Sequence, residues 1–358
     1  MQAPDSAHDQ SYLESVMALT PESEQEPMDW IRAGTMPLFL APMARFTDSA
    51  FRQLCKEQGA DVMTTEFVMA ESLLRSEKAW RNVDFTEEQR PMGVQVFGSQ
   101  PERMAAAAKA VADRVRPDFI DINCGCPASR VTDIHAGSSL LKDPPHLAKI
   151  VEACVKAVPE IPVTVKIRAG WDHDQIVALE VGQRVQDVGA RLLAIHGRTK
   201  EQGYRGDADW TLINEVAAAL DIPVVGNGGI QTCADVAALR ENSPVSGVMI
   251  GRAALGYPWL FAEIKHFLTT GEIPEAPSAQ TRWDTIHRFV ELLYDGPYSD
   301  KARDDVGWLR AKVKALTKDM PRGRKLRPRI DSIKHVDELR TVAEAHLREC
   351  ANAETPAS

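Results

Sequence analysis

The chain has only six cysteines in 358 residues. They are too few and too scattered for a disulfide framework and fit buried small side chains in a reducing compartment. No apolar run approaches the roughly 18 residues that a membrane span needs. The first residues, MQAPDSAHDQSYLESV, have neither the basic nor the apolar stretch of a secretory leader. A cytoplasmic protein, expected as a monomer, follows. Cys and His pairs at metal-ligand spacing are missing: Cys124 and Cys126, in Cys-Gly-Cys-Pro, are one residue short of Cys-x-x-Cys, so no metal is expected. Positive charge is also short, 42 Lys+Arg against 51 Asp+Glu for a net of −9, which taken over the whole chain argues against a nucleic-acid partner. What is present is 44% apolar and 26% charged residues, enough for a large core and unlike a disordered or fibrous chain.

Residues 1–35 carry seven acids and one base with little periodicity, and read as a loosely ordered acidic extension. From Leu38 a different rhythm begins. Eight short apolar runs, LFLAPM, VMTTEF, MGVQVF, FIDINC, VTVKIR, LLAIHG, PVVGNG and GVMIGR, recur at steps of 24 to 44 residues with helix-like stretches between them. Near-continuous apolar strands alternating with helices indicate a parallel sheet buried on both faces, and eight is the number that closes a barrel. The turn after the first strand, APMARFTD, has no GxGxxG, so a doubly wound sheet fits less well. The expected fold is an α/β chain, a (β/α)8 TIM barrel over 36–268, followed by a small C-terminal helical bundle over 269–350 and a disordered tail over 351–358. The link TTGEIPEAPSAQ marks the boundary.

In such a barrel the working residues lie where strands end. The seventh predicted strand ends in Asn227-Gly228-Gly229 and the eighth in Gly251-Arg252. Glycines that let backbone N–H groups approach an anion, with an arginine beside them, make a phosphate site there. Lys166, in the middle of the apolar strand VTVKIR, is costly to bury without an anionic partner. If a flavin phosphate occupies that site, Lys166 can face the N1/O2 edge of the ring, and Gln95 can donate and accept at the same edge.

The ordered series APMARFTD, QVFG, DINCGCPASRV, AGSSLLKDP, TVKIRAGW, IHGRT, GNGGI and MIGRAALGYPWLF resembles the bacterial tRNA-dihydrouridine synthase family over about residues 37–340. The resemblance implies an FMN-bound barrel with a C-terminal helical domain, which uses NADPH to reduce the C5=C6 bond of selected tRNA uridines. It places FMN on Pro42, Met43, Ala44, Gln95, Lys166, His196, Asn227, Gly228, Gly229, Gly251 and Arg252. It makes Cys126 the proton donor and leaves Cys124 in a variable position. A thiol with an ordinary pKa of about 8.5 is mostly protonated at neutral pH and can act as the acid. Asn123 is expected to hold the target uracil and Arg198 to contact substrate or phosphate. An FMN barrel acting on a free pyrimidine, a synthase acting on ribosomal RNA and a non-catalytic flavin-bound RNA-binding paralogue share many of these features.

The charge is unevenly distributed. Residues 301–340 hold 13 Lys+Arg against six acids, a net of +7 centred on PRGRKLRPR, while the acidic extension contributes −6. In the helical part of a suspected RNA enzyme this run is the expected tRNA-gripping surface, with Arg324 and Lys325 at its centre.

Overall fold

The computed structural model describes residues 28–31, 35–296 and 305–354. Its strands are β1 Leu38–Leu40, β2 Val62–Thr64, β3 Val68–Met69, β4 Met92–Phe97, β5 Phe119–Cys124, β6 Val163–Arg168, β7 Leu192–His196, β8 Val224–Asn227 and β9 Gly247–Ile250. All pair in parallel, and the circuit β1, β2, β4, β5, β6, β7, β8, β9 closes back onto β1. This is the eight-stranded barrel expected from the sequence. The short β3 is an addition, pairing with Val96 and Phe97 at the C-terminal end of β4.

Helices begin where the sequence supplies caps. Asp48 accepts from the Phe51 N–H ahead of Ser49–Glu57, and Asp143 caps Pro144–Ala157, which opens on proline. Thr232 and Asp235 form a capping box ahead of Cys233–Asn242. The outward strand residues Ile120, Ile122, Cys124, Val165 and Ile167 join the helices in one large core. The inward residues form layers. Phe39, Val62, Phe119 and Leu192 fill the floor. Gly93 leaves room for Phe119, whose ring lies 2.1 Å from where a Cβ would stand.

Two expectations are corrected. Residues 28–31 fall within the segment expected to be loosely ordered, yet they form a turn that packs under the barrel. Trp30 meets the rings of Phe39 and Phe119 at 5.8 and 5.2 Å, because the open floor of the barrel offers it an apolar seat. Residues 1–27 of the extension lie outside the described residues. At the other end, the last helix runs from Glu338 to Glu354, into the stretch expected as a tail.

Beyond the barrel helix Leu260–Thr270 the described residues form four helices, Ala279–Asp295, Val306–Leu316, Gly323–Ser332 and Glu338–Glu354. The basic run PRGRKLRPR supplies the third. Leu326 and Ile330, four apart, bury one face and hold this segment helical despite Pro328. Among the described residues no helix is long and apolar enough to cross a membrane, and no cluster of side chains could hold a metal ion.

Candidate active site

The C-terminal ends of the strands bring most of the predicted residues to one mouth. Strand register places Gln95 beside Asp121, Asn123 beside Lys166, Arg168 beside His196, and His196 beside Asn227. At the end of β8, Asn227 accepts from Lys166 Nζ at 3.3 Å and donates to the Met249 carbonyl at 2.7 Å. Gly228 follows with φ of 116°, where a Cβ would stand 2.8 Å from both the His196 ring and Ala208. Only glycine lets the backbone turn there. Gly251, after β9, lies against Ala41 and Met43, so the ends of β1 and β9 share one side of the mouth. Met43 is fixed by Thr47, whose hydroxyl accepts the Met43 N–H at 2.9 Å.

Four cations converge here. Arg252 lies over the Tyr204 ring at 4.0 Å and Arg168 over the same ring at 5.7 Å. Arg168 donates to the carbonyls of Gly125, Thr199 and Gly203. Arg198 donates from Nε and Nη2 to the Gly206 carbonyl, and its buried Nη1 has no partner. Burial, assisted by Arg168, lowers the Lys166 pKa to about 8, while Asp121 and Cys126 oppose the shift. Burial and the four cations push His196 down to about 2, so its ring is neutral.

Cys126 occupies the adjacent wall. Its backbone N–H donates to Asn123 Oδ1 at 2.9 Å, and its carbonyl accepts from the N–H and hydroxyl of Ser138. Its side chain packs in an apolar cluster with Phe97, Val131, Ala136, Phe67 and Met69. Burial raises the thiol pKa, against the lowering effects of the Ala128 N–H, Arg130, Arg168 and Lys166. The group is therefore protonated at neutral pH and surrounded by residues that leave it half-accessible. Cys124 faces outward into the core and is fully buried.

The residues fit FMN. Cationic donors, among them the partnerless Arg198 Nη1, beside a glycine turn that admits no side chain suit a phosphate, and a neutral imidazole, amides and a lysine suit a polar ring edge. A Gly228→Val substitution drives a branched side chain into His196. It is expected to lower flavin content at least about tenfold while leaving the fold intact, read from flavin absorbance and circular dichroism on the purified protein.

The sequence alone assigns no role to three participants. Tyr204, 55% exposed, joins the two arginines and His196. Arg168 anchors the loops after β5 and β7 to each other. Asp121 is buried beneath Gln95 and was detectable by the argument applied to Lys166, a charge in the middle of an apolar strand. Asn123 is more occupied than a free substrate-binding amide: Nδ2 donates to Gln95 Oε1 at 2.7 Å, while Oδ1 accepts from Gly125 and Cys126.

Arg324 and Lys325 are not at the mouth. Both are exposed on helix Gly323–Ser332, next to exposed Arg322 and Arg327. The basic run is smaller than its count suggested. Lys312 is buried against Asp48, Lys314 pairs with Asp331, Arg329 pairs with Glu349, and Arg310 donates to the Asp331 carbonyl. Lys301 and Arg303 lie outside the described residues.

Residues 39–354 match the family model described as dihydrouridine synthase. The chain is 41% identical over 276 residues to tRNA-dihydrouridine synthase B of Xanthomonas axonopodis pv. citri, covering 76% of this chain and 82% of that protein. It is 35% identical over 315 residues to a probable tRNA-dihydrouridine synthase of Aquifex aeolicus, covering 87% and 96%. In fold it is similar to histamine dehydrogenase from Rhizobium sp. 4-9, with a TM-score of 0.51 and 14% identity over 71% of this chain and 48% of that one. The old yellow enzyme from Trypanosoma cruzi gives a TM-score of 0.50 and 10% identity, over 68% and 90%.

Proposed function

Because the chain belongs to the dihydrouridine synthase family, we propose that it reduces the C5=C6 bond of uridine in tRNA, with FMN as its resident cofactor and NADPH as reductant. The observation that carries this reading is a protonated, half-buried thiol, Cys126, set beside a mouth of four cations built on glycine turns. When bound, FMN supplies the hydride that forms the new C6–H bond of the uracil.

The protein's own residues do the rest. Gly228, Gly229, Gly251, Arg252 and Arg198 hold the phosphate, Lys166 and Gln95 the polar edge of the ring, and Pro42, Met43 and Ala44 the opposite rim. His196, held neutral by burial and by its cationic neighbours, binds without adding charge. As the π electrons of the C5=C6 bond move toward C5 and O4, the Cys126 thiol gives its proton to C5, and the thiolate left behind recovers a proton from solvent. The apolar wall of Phe67, Phe97 and Val131 limits water around the thiol. The target base must leave its stack to enter the mouth, at a cost of a few kcal/mol. Exposed Arg322, Arg324, Lys325 and Arg327 grip the rest of the tRNA.

Reversing charge at Arg324 and Lys325 to glutamate is expected to weaken tRNA binding about tenfold or more near physiological salt and to flatten its salt dependence. Flavin content should not change. Filter binding across a salt series reads this directly, and an unchanged affinity and slope would move the grip elsewhere. Dihydrouridine formation from a tRNA transcript, with none from free uracil, separates this function from a small-pyrimidine oxidoreductase.

A further inference from the structure

Asp121 is a buried carboxylate with no part in the hydride or proton transfer. It sits in the middle of β5, 4% exposed, with Gln95 on β4 and Thr164 on β6 as its register neighbours. The Thr164 hydroxyl donates to Oδ1 at 2.6 Å and Gln95 Nε2 donates to Oδ2 at 2.5 Å. An ionised carboxylate only accepts, so the Gln95 amide must turn its nitrogen toward Asp121 and its oxygen toward Asn123. Asn123 then presents Nδ2 to Gln95 at 2.7 Å and turns Oδ1 toward the loop, where it accepts the N–H groups of Gly125 at 3.2 Å and Cys126 at 2.9 Å. Backbone N–H groups only donate. A pure acceptor at one end and pure donors at the other impose the same orientation on both amides between them, leaving the chain one arrangement.

We propose that Asp121 is a positioning residue for Cys126, acting through the oriented side chains of Gln95 and Asn123 to hold the loop that carries the thiol. The inference rests on the assignment of Cys126 as the proton donor and adds what fixes its place. Reversal of Asn123 would set its Nδ2 against the Cys126 N–H, two donors facing each other, and reversal of Gln95 would set its Oε1 against Asp121 Oδ2 and its Nε2 against Asn123 Nδ2. Burial raises the Asp121 pKa, while the bonds from Gln95 and Thr164 and the Lys166 charge pull it back. Asp121 therefore also faces Lys166 as a counter-charge, and the test must separate the two roles.

Asparagine at position 121 does so. With its oxygen toward Gln95 and its nitrogen toward the Thr164 hydroxyl, which accepts as well as donates, it keeps the orientation of the chain and removes the charge. The measurement is the rate at which iodoacetamide alkylates Cys126 in the full-length protein, followed by mass spectrometry of its peptide. Asp121→Ala and Asn123→Ala should each unpin the loop and speed alkylation about tenfold, the scale of one lost buried hydrogen bond. The double variant should be no faster than Asn123→Ala alone. Asp121→Asn should return alkylation to near the wild-type rate.

Several results would overturn the proposal: an unchanged rate in Asp121→Ala, a multiplied effect in the double variant, or Asp121→Asn as fast as Asp121→Ala, which would make the charge responsible. If Asp121→Ala does not fold, Gln95→Leu cuts the next link and must show the same rise, and a wild-type rate there is equally decisive against it. Alkylation needs neither tRNA nor turnover, so it stands if the tRNA reading fails. A failed coupling test overturns the positioning role alone and leaves the dihydrouridine synthase reading to its own tests.

Discussion

Cys126→Ala is expected to lower dihydrouridine formation by about 10²- to 10⁴-fold, the range that general acid catalysis contributes, with flavin content and tRNA affinity unchanged. The thiol sits beyond the polar strand-end residues assigned to FMN, so removing it takes away a proton and little binding surface. Its raised pKa gives a second signature. Turnover should hold through neutral pH and fall as pH rises through the thiol pKa, because only the protonated form can donate. Cys124→Ala provides the control, since that thiol faces the core on the other side of β5. Single-turnover reoxidation of the reduced enzyme by tRNA measures the step. A rate within threefold of wild type for Cys126→Ala would remove Cys126 from the chemistry.

Lys312→Met is expected to cost about 3–5 kcal/mol of stability, because it leaves the Asp48 carboxylate buried without its partner. The two groups are 6% and 3% exposed and in direct contact, and Lys312 also donates to the Phe46 carbonyl at 3.2 Å. The pair joins the turn after β1, which carries Met43 and Ala44, to the C-terminal helix Val306–Leu316. Trp308 and Phe289 cover the ammonium, with ring centroids 5.0 and 5.8 Å away. Pairing Lys312→Met with Asp48→Asn should recover much of the loss, since asparagine still caps helix Ser49–Glu57 and the unpaired charge is gone. Urea unfolding of the single and double variants decides it. Equal losses in both would mean that packing, and not the ion pair, holds the two elements together.

The barrel was legible because its strands are nearly continuous apolar runs at regular intervals, and that pattern survives without any knowledge of partners. The mouth was legible where a residue is anomalous in its own strand: Lys166 within VTVKIR, or paired glycines directly after an apolar run. Residues whose meaning depends on a distant partner were hidden. Trp30 lies in an acidic, aperiodic segment, and its seat exists only once Phe39 and Phe119 meet at the barrel floor. Lys312 read as one more base in a positive run, whereas Asp48, its partner across 264 positions, takes it into the interior. Helix Gly323–Ser332 contains Pro328 and is held by the burial of Leu326 and Ile330. Net charge misled for the same reason: it averages an acidic start, a basic helix and buried pairs that a partner never meets.

The central claim is that this chain reduces uridine within tRNA. The direct measurement is mass spectrometry of an unmodified tRNA transcript after incubation with the flavin-loaded enzyme and NADPH. A gain of two hydrogens on a specific uridine, lost in Cys126→Ala, is the predicted result. An unaltered transcript beside fully reduced flavin would contradict it.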